Sequence, residues 1–175
     1  MHSSSLRNMK RFVATHLDKS TSQRSVLDVG SQDVNGNYRH LFDTKIWTYT
    51  GLDMTEGANV DIIPEDPYSW SMIPDRSFDV VISGQSLEHV EFFWLTIKEM
   101  ERVLKCGGYL CLIAPSNGYE HRYPVDCWRF YPDGMKALAK YVNIDVLEVY
   151  AEWDDQYEDR DPIWQDCVLI AQKPL

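Results

Sequence analysis

Two histidines can exchange a proton near neutral pH: His89, in the run QSLEHVEFF, and His121, in YEHRYPVDCWRFYP. Either could act as a general base toward a nucleophile that is protonated at working pH. Each also has a plain structural use, His89 as a buttress beside Glu88 at a helix start and His121 as a hydrogen-bonding residue inside a loop. Around His121 the chain concentrates Tyr119, Tyr123, Trp128, Phe130 and Tyr131 with Arg122, Asp126 and Arg129. Aromatic walls with a few fixed charges bury and orient small molecules. Tyr123, Asp126, Trp128, Arg129 and Tyr131 are therefore candidate substrate contacts; the alternative is a packed loop in which Asp126 pairs with an arginine. No metal site is expected, because His121 and Asp126 have no H-x-x-x-H, cysteine pair or second carboxylate at ligand spacing.

A second group of residues sits where apolar runs end. VLDVGSQDVNG, residues 26–36, puts Asp28 and Gly30 directly before a polar loop, and Asp53 closes YTGLDM in the next such run. A dinucleotide loop reads G-x-G-x-x-G, with its second glycine admitting a pyrophosphate. Here Gln32 holds that place and Asp33 follows, so a ligand without pyrophosphate fits better, and a simple structural turn stays open. An acid at a strand end about 20 residues downstream can accept both hydroxyls of a ribose, which is the reading for Asp53.

The elements that would hold these groups follow from the apolar pattern. SVLDVG (25–30), TYTGLDM (48–54), FDVVISG (78–84) and YLCLIAP (109–115) are continuous runs of strand length, as in a parallel sheet covered on both faces. Phe93, Ile97, Met100 and Leu104 form one stripe of a helix that Lys105 and Gly107-Gly108 would end. MKALAKYV reads as a short helix entered through Pro132 and Asp133. The runs 144–153 and 163–173 are separated too briefly for a parallel crossover, so an antiparallel hairpin is expected. The acid-rich stretch from Glu152 to Asp161 reads as its solvated turn.

Taken in order, VLDVGSQDVNG, YTGLDM, FDVVISGQSLEHV, EMERVLKCGGYLCLIAPS and HRYPVDCWRFYPDG resemble the class I S-adenosylmethionine-dependent methyltransferases, in particular the methyltransferase type 11-like group. The resemblance implies an α/β, Rossmann-like seven-stranded sheet in the order 3-2-1-4-5-7-6, with strand 7 antiparallel and helices on both faces. It implies S-adenosyl-L-methionine as cofactor and S-adenosyl-L-homocysteine as product. By the same resemblance Asp28, Gly30 and Ser31 lie at the methionine end, Gly36 opens the following helix, and Asp53 is the ribose acid with Met54 against the adenine. Asp66 falls where the family covers or hydrogen-bonds the adenine, and Ser83 and Gln85 fall on the loop passing the methionyl group. Gln32 departs from the family's acid-G-x-G-x-G pattern. No catalytic residue is universal in the family, so His121 and His89 remain candidates on their own chemistry.

The totals bound the function. With 175 residues, 44% of them hydrophobic, the chain fits one domain, 1–175, with a short helical segment over about 1–24. The net charge of -10 opposes a phosphate backbone, so no nucleic-acid partner is expected. Four cysteines without C-x-x-C spacing read as reduced thiols. The opening MHSSSLRNMKRF has no apolar core, and no apolar run approaches the roughly 18 residues of a span. A cytoplasmic protein without a membrane role is expected. The expected function is methyl transfer to an O or N atom of a small-molecule acceptor. A non-catalytic S-adenosylmethionine-binding module for partner recognition is the alternative, and a nicotinamide oxidoreductase is disfavoured by the missing G-x-G-x-x-G. The roughly 25 residues before the first strand give little material for a cap, leaving the pocket open, completed by a second subunit as a homodimer, or covered by the N-terminal segment.

Overall fold

The computed structural model describes residues 3–17, 22–42, 45–153 and 163–175. Six strands form one sheet: β1 (Arg24–Val29), β2 (Trp47–Leu52), β3 (Phe78–Gly84), β4 (Leu104–Pro115), β5 (Asp145–Ala151) and β6 (Asp166–Gln172). Their spatial order is β2-β1-β3-β4-β6-β5, with β1 parallel to β2 and β3, and β3 parallel to β4. β6 runs antiparallel to both β4 and β5, so the expected terminal hairpin is present.

Alternate side chains of the central strands divide between two apolar clusters, the pattern that a pleat dictates. Leu27, Val81, Leu110, Leu112 and Leu169 meet Ile97 and Met100 of α2 (Phe93–Val103) and Met135 and Leu138 of α3 (Pro132–Tyr141). Val26, Val80, Ile82, Cys111, Ile113 and Val168 meet Met9 and Phe12 of α1 (Ser3–His16). Polar contacts also fix α1. Arg7 and Asn8 donate to the buried Glu152 at 2.8 and 3.0 Å, and Ser5 shares a hydrogen bond with Tyr38.

Four expectations need correction. Among the described residues the sheet has six strands, not seven: where a further edge strand would pair with β2 there is only one parallel bridge, Leu52 to Ile62. Pro64 and Pro67 follow at once, and a residue without an N–H cannot extend a ladder. The helix expected to end at Gly107-Gly108 stops at Val103, because Leu104 already pairs with Phe78 in the sheet. Gly107 (φ +75°) instead lets β4 turn so that its N–H reaches Lys173 O at 2.8 Å. Gly36 does not open an α-helix; a three-residue 3-10 turn, Arg39–Leu41, follows it. Glu152 is not solvated but fully buried against α1, and residues 154–161 of its acid-rich stretch lie outside the described residues.

All four cysteines are free thiols, Cys106 and Cys127 exposed, Cys111 and Cys167 buried. No helix among the described residues is long and apolar enough to cross a membrane.

Candidate active site

The chain passes from β1 to β2 on one side, then returns to place β3 on the other, so the loops leaving β1 and β3 part at their carboxyl ends. A crevice forms at such a reversal. Here it is a cleft of about 780 Å³, lined at one end by Asp28, Gly30, Asp53 and Met54 and at the other by Glu88, His89, His121 and Tyr123. That volume lies within the range of small-molecule sites.

Gly30 takes φ +79°, and its N–H donates to Leu52 O at 2.9 Å. A Cβ there would stand 2.0 Å from Ser86 Oγ, so a side chain at this position would drive the β1 and β3 loops apart. The next residues close on β2. Gln32 N–H donates to Asp53 Oδ2 at 3.0 Å, while Asp53 Oδ1 accepts from Met54 N–H at 2.7 Å. Oδ1 also takes a long contact from Thr55 N–H at 3.4 Å, while Oδ2 retains acceptor capacity for a ribose hydroxyl. The Gln32 side chain is bound at both atoms: Nε2 donates to Glu56 O at 3.2 Å and Oε1 accepts from Tyr123 Oη at 3.3 Å. It thereby links the β1 loop to the aromatic segment. Asp33 accepts from Gly36 N–H at 2.7 Å and from Asn37 Nδ2 at 2.5 Å, closing the loop as a local turn.

Asp28 is buried, with Oδ2 accepting from Tyr49 Oη and Oδ1 without a partner among the described residues. Burial, with a smaller contribution from the Asp53 charge, pushes its pKa to about 7 against the lowering effect of Tyr49. An unpartnered carboxyl lining the cleft suits the ammonium of an amino-acid moiety, so the donor set fits the methionine end of the expected cofactor. Gln85 (φ +58°) also lines the cleft, with Nε2 donating to Asp166 Oδ1 at 2.9 Å.

Of three further proposed contacts, one borders the cleft and two do not line it. Ser31 is buried with its hydroxyl donating to Asn59 O at 3.1 Å, although it borders the cleft. Ser83 turns its hydroxyl to Val29 O at 2.8 Å and is not among the lining residues. Asp66 is exposed, accepting from Tyr68 N–H at 2.8 Å, and the lining comes instead from Pro67 and Trp70.

At the other end, residues 125–128 lie along 88–90. Cys127 N–H donates to Glu88 O at 2.7 Å, His89 Nδ1 lies 2.6 Å from Val125 O, and Trp128 Nε1 donates to Val90 O at 3.1 Å. The His89–carbonyl contact fixes the tautomer with the proton on Nδ1. This brings the two candidate histidines together, their rings edge to face with centroids 4.9 Å apart. Desolvation lowers the pKa of His89, and the neighbouring His121 adds to the effect. Asp126 accepts both Arg129 nitrogens, at 2.6 and 2.8 Å, and the His121 N–H at 2.6 Å. Arg129, then, holds its carboxyl well below the usual range. Asp126, Trp128, Arg129 and Tyr131 do not line the cleft; they shape the segment that presents His121, Arg122 and Tyr123 to it.

Sequence reasoning missed Glu88. It is fully buried, it lines the cleft, and neither carboxylate oxygen has a hydrogen-bond partner among the described residues. Burial pushes its pKa to about 8. An acid set between Leu87 and His89 just past a strand end was the available signal.

Residues 27–112 match the family model of a methyltransferase domain. The chain is 25% identical over 146 residues to a polyketide synthase-nonribosomal peptide synthetase of Pyricularia grisea, covering 71% of this chain and 4% of that protein. It therefore spans a small part of that relative's length. A SAM-dependent methyltransferase of Methanosarcina mazei superposes with a TM-score of 0.65 at 19% identity, over 89% of this chain and 95% of that one. A phosphoethanolamine N-methyltransferase of Haemonchus contortus, in complex with S-adenosyl-L-methionine, gives 0.66 at 12% identity, over 96% and 53%.

Proposed function

We propose that the chain is a class I S-adenosylmethionine-dependent methyltransferase that moves the cofactor's methyl group to an O or N atom of a small molecule. The observation carrying this reading is the cleft itself, which joins the Asp28–Asp53 end to the His89–His121–Tyr123 end without a break. The sulfonium supplies an activated methyl group, and the protein's part is to hold donor and acceptor in line and near contact.

This chain's residues divide that work. Asp53 would accept the ribose hydroxyls while its bond to Gln32 N–H holds the β1 loop in place. Asp28 would meet the amino group of the methionine moiety, with Tyr49 fixing its carboxyl plane. Met54 and Trp70 offer apolar surface beside them. Tyr123, tethered to Gln32, and Arg122 would bound the acceptor. In this reading a single domain acts in the cytoplasm without nucleic acid or membrane, and a homodimer is one way of closing the cleft.

The test is incubation with methyl-labelled S-adenosyl-L-methionine and a panel of small hydroxyl and amine compounds, read by mass spectrometry. A labelled product is expected. Cofactor binding with no turnover across the panel would instead support a binding module.

A further inference from the structure

Glu88 poses an electrostatic question that the cofactor end of the cleft does not answer. A buried carboxylate with no hydrogen-bond partner on either oxygen is destabilising unless a proton or a cation compensates it. Arg129 does not serve, because it is engaged bidentately by Asp126. His89 Nε2 stands 3.8 Å from Glu88 Oε1, too far for a hydrogen bond but suitable for two ligands sharing an ion.

We propose that Glu88, His89 and His121 bind a divalent first-row transition-metal ion, since ligand atoms of all three lie within 4.8 Å of one another at the acceptor end of the cleft. Two imidazoles and one carboxylate form a donor set for such ions, with positions left open. The rings are already oriented. His89 Nδ1 is engaged by Val125 O, leaving Nε2 as the ligating atom, and backbone carbonyls commonly play this part at metal sites. His121 is fixed through its backbone N–H to Asp126 and by its ring against Trp164, centroids 4.5 Å apart. The ion supplies the positive charge that Glu88 lacks. The open positions face the cleft, where an acceptor oxygen can enter. That last point rests on the methyl-transfer reading; the ion site does not.

The experiment is titration of chelator-stripped full-length protein with Co²⁺, followed by visible absorption and then by displacement with Zn²⁺. One saturable equivalent is expected. Glu88→Gln and His121→Gln should each weaken Co²⁺ binding about tenfold or more, with circular dichroism unchanged. If Glu88→Gln fails to fold, His121→Gln, at a half-buried ring, carries the same readout. Absence of saturable Co²⁺ binding to the wild type, or undiminished binding by His121→Gln, would overturn the site. S-adenosyl-L-methionine titrated into the metal-free protein separates the two readings. Cofactor binding without Co²⁺ binding sinks only the ion site, and the converse sinks only the methyltransferase reading.

Discussion

Asp28 carries a pH dependence that can be isolated. Its folded pKa, raised to about 7 chiefly by burial, lies above the ordinary carboxyl value near 4. Between those values the folded protein keeps a proton that the unfolded chain has released, so this group's contribution to stability falls as pH rises. Above pH 7 its ionisation opposes folding in full. Asp28→Asn should therefore flatten the urea midpoint between pH 4 and 7 relative to wild type and stabilise the protein at pH 8 by on the order of 1–3 kcal/mol. An unchanged slope would mean that Asp28 ionises freely. The same acid was readable from sequence as a site residue through its place before Gly30, but its protonation was not, because that depends on burial by the neighbouring strands, which outweighs the opposing hydrogen bond from Tyr49. Glu88's place just past a strand end was readable, but its burial was not, for a similar reason: its surroundings are set in part by residues 125–128, more than thirty positions away.

Elements repeat the lesson with two further tests. Gly30→Ala should destabilise by about 2–4 kcal/mol, since φ +79° disfavours a side chain and the added Cβ would collide with Ser86. Chemical denaturation checks this, and a loss under 1 kcal/mol would show that the two loops separate easily. Glu152→Ala should cost about 1–3 kcal/mol, reduced by the partial exposure of Arg7, and should make α1 the first site of limited proteolysis. Uniform digestion would contradict the anchoring role. The parallel strands were legible because their apolar runs are buried on both faces, and the terminal hairpin because its connection is short. The missing edge strand and the early end of α2 were not, since each is decided by pairing: Ile62 finds one bridge before Pro64, and Leu104 is drawn into the sheet by Phe78. The histidine pair escaped because nothing in local pattern brings 89 beside 121.

At the scale of the whole molecule, a net charge of -10 sets the field in which any partner arrives. Association with a polyanion should be absent at physiological salt, and a gel-shift assay with duplex DNA and structured RNA should show no complex below micromolar protein. A salt-sensitive shift would place a basic face where none is expected. The account as a whole rests on the cleft between β1 and β3 being a cofactor site. The most direct measurement is calorimetric titration with S-adenosyl-L-methionine and S-adenosyl-L-homocysteine, on wild type and on Asp53→Ala. Saturable binding of both ligands, weakened about tenfold or more in the variant as expected for lost charge-assisted hydrogen bonds, is the predicted result. No binding to the folded wild type, or equal binding to Asp53→Ala, would contradict it.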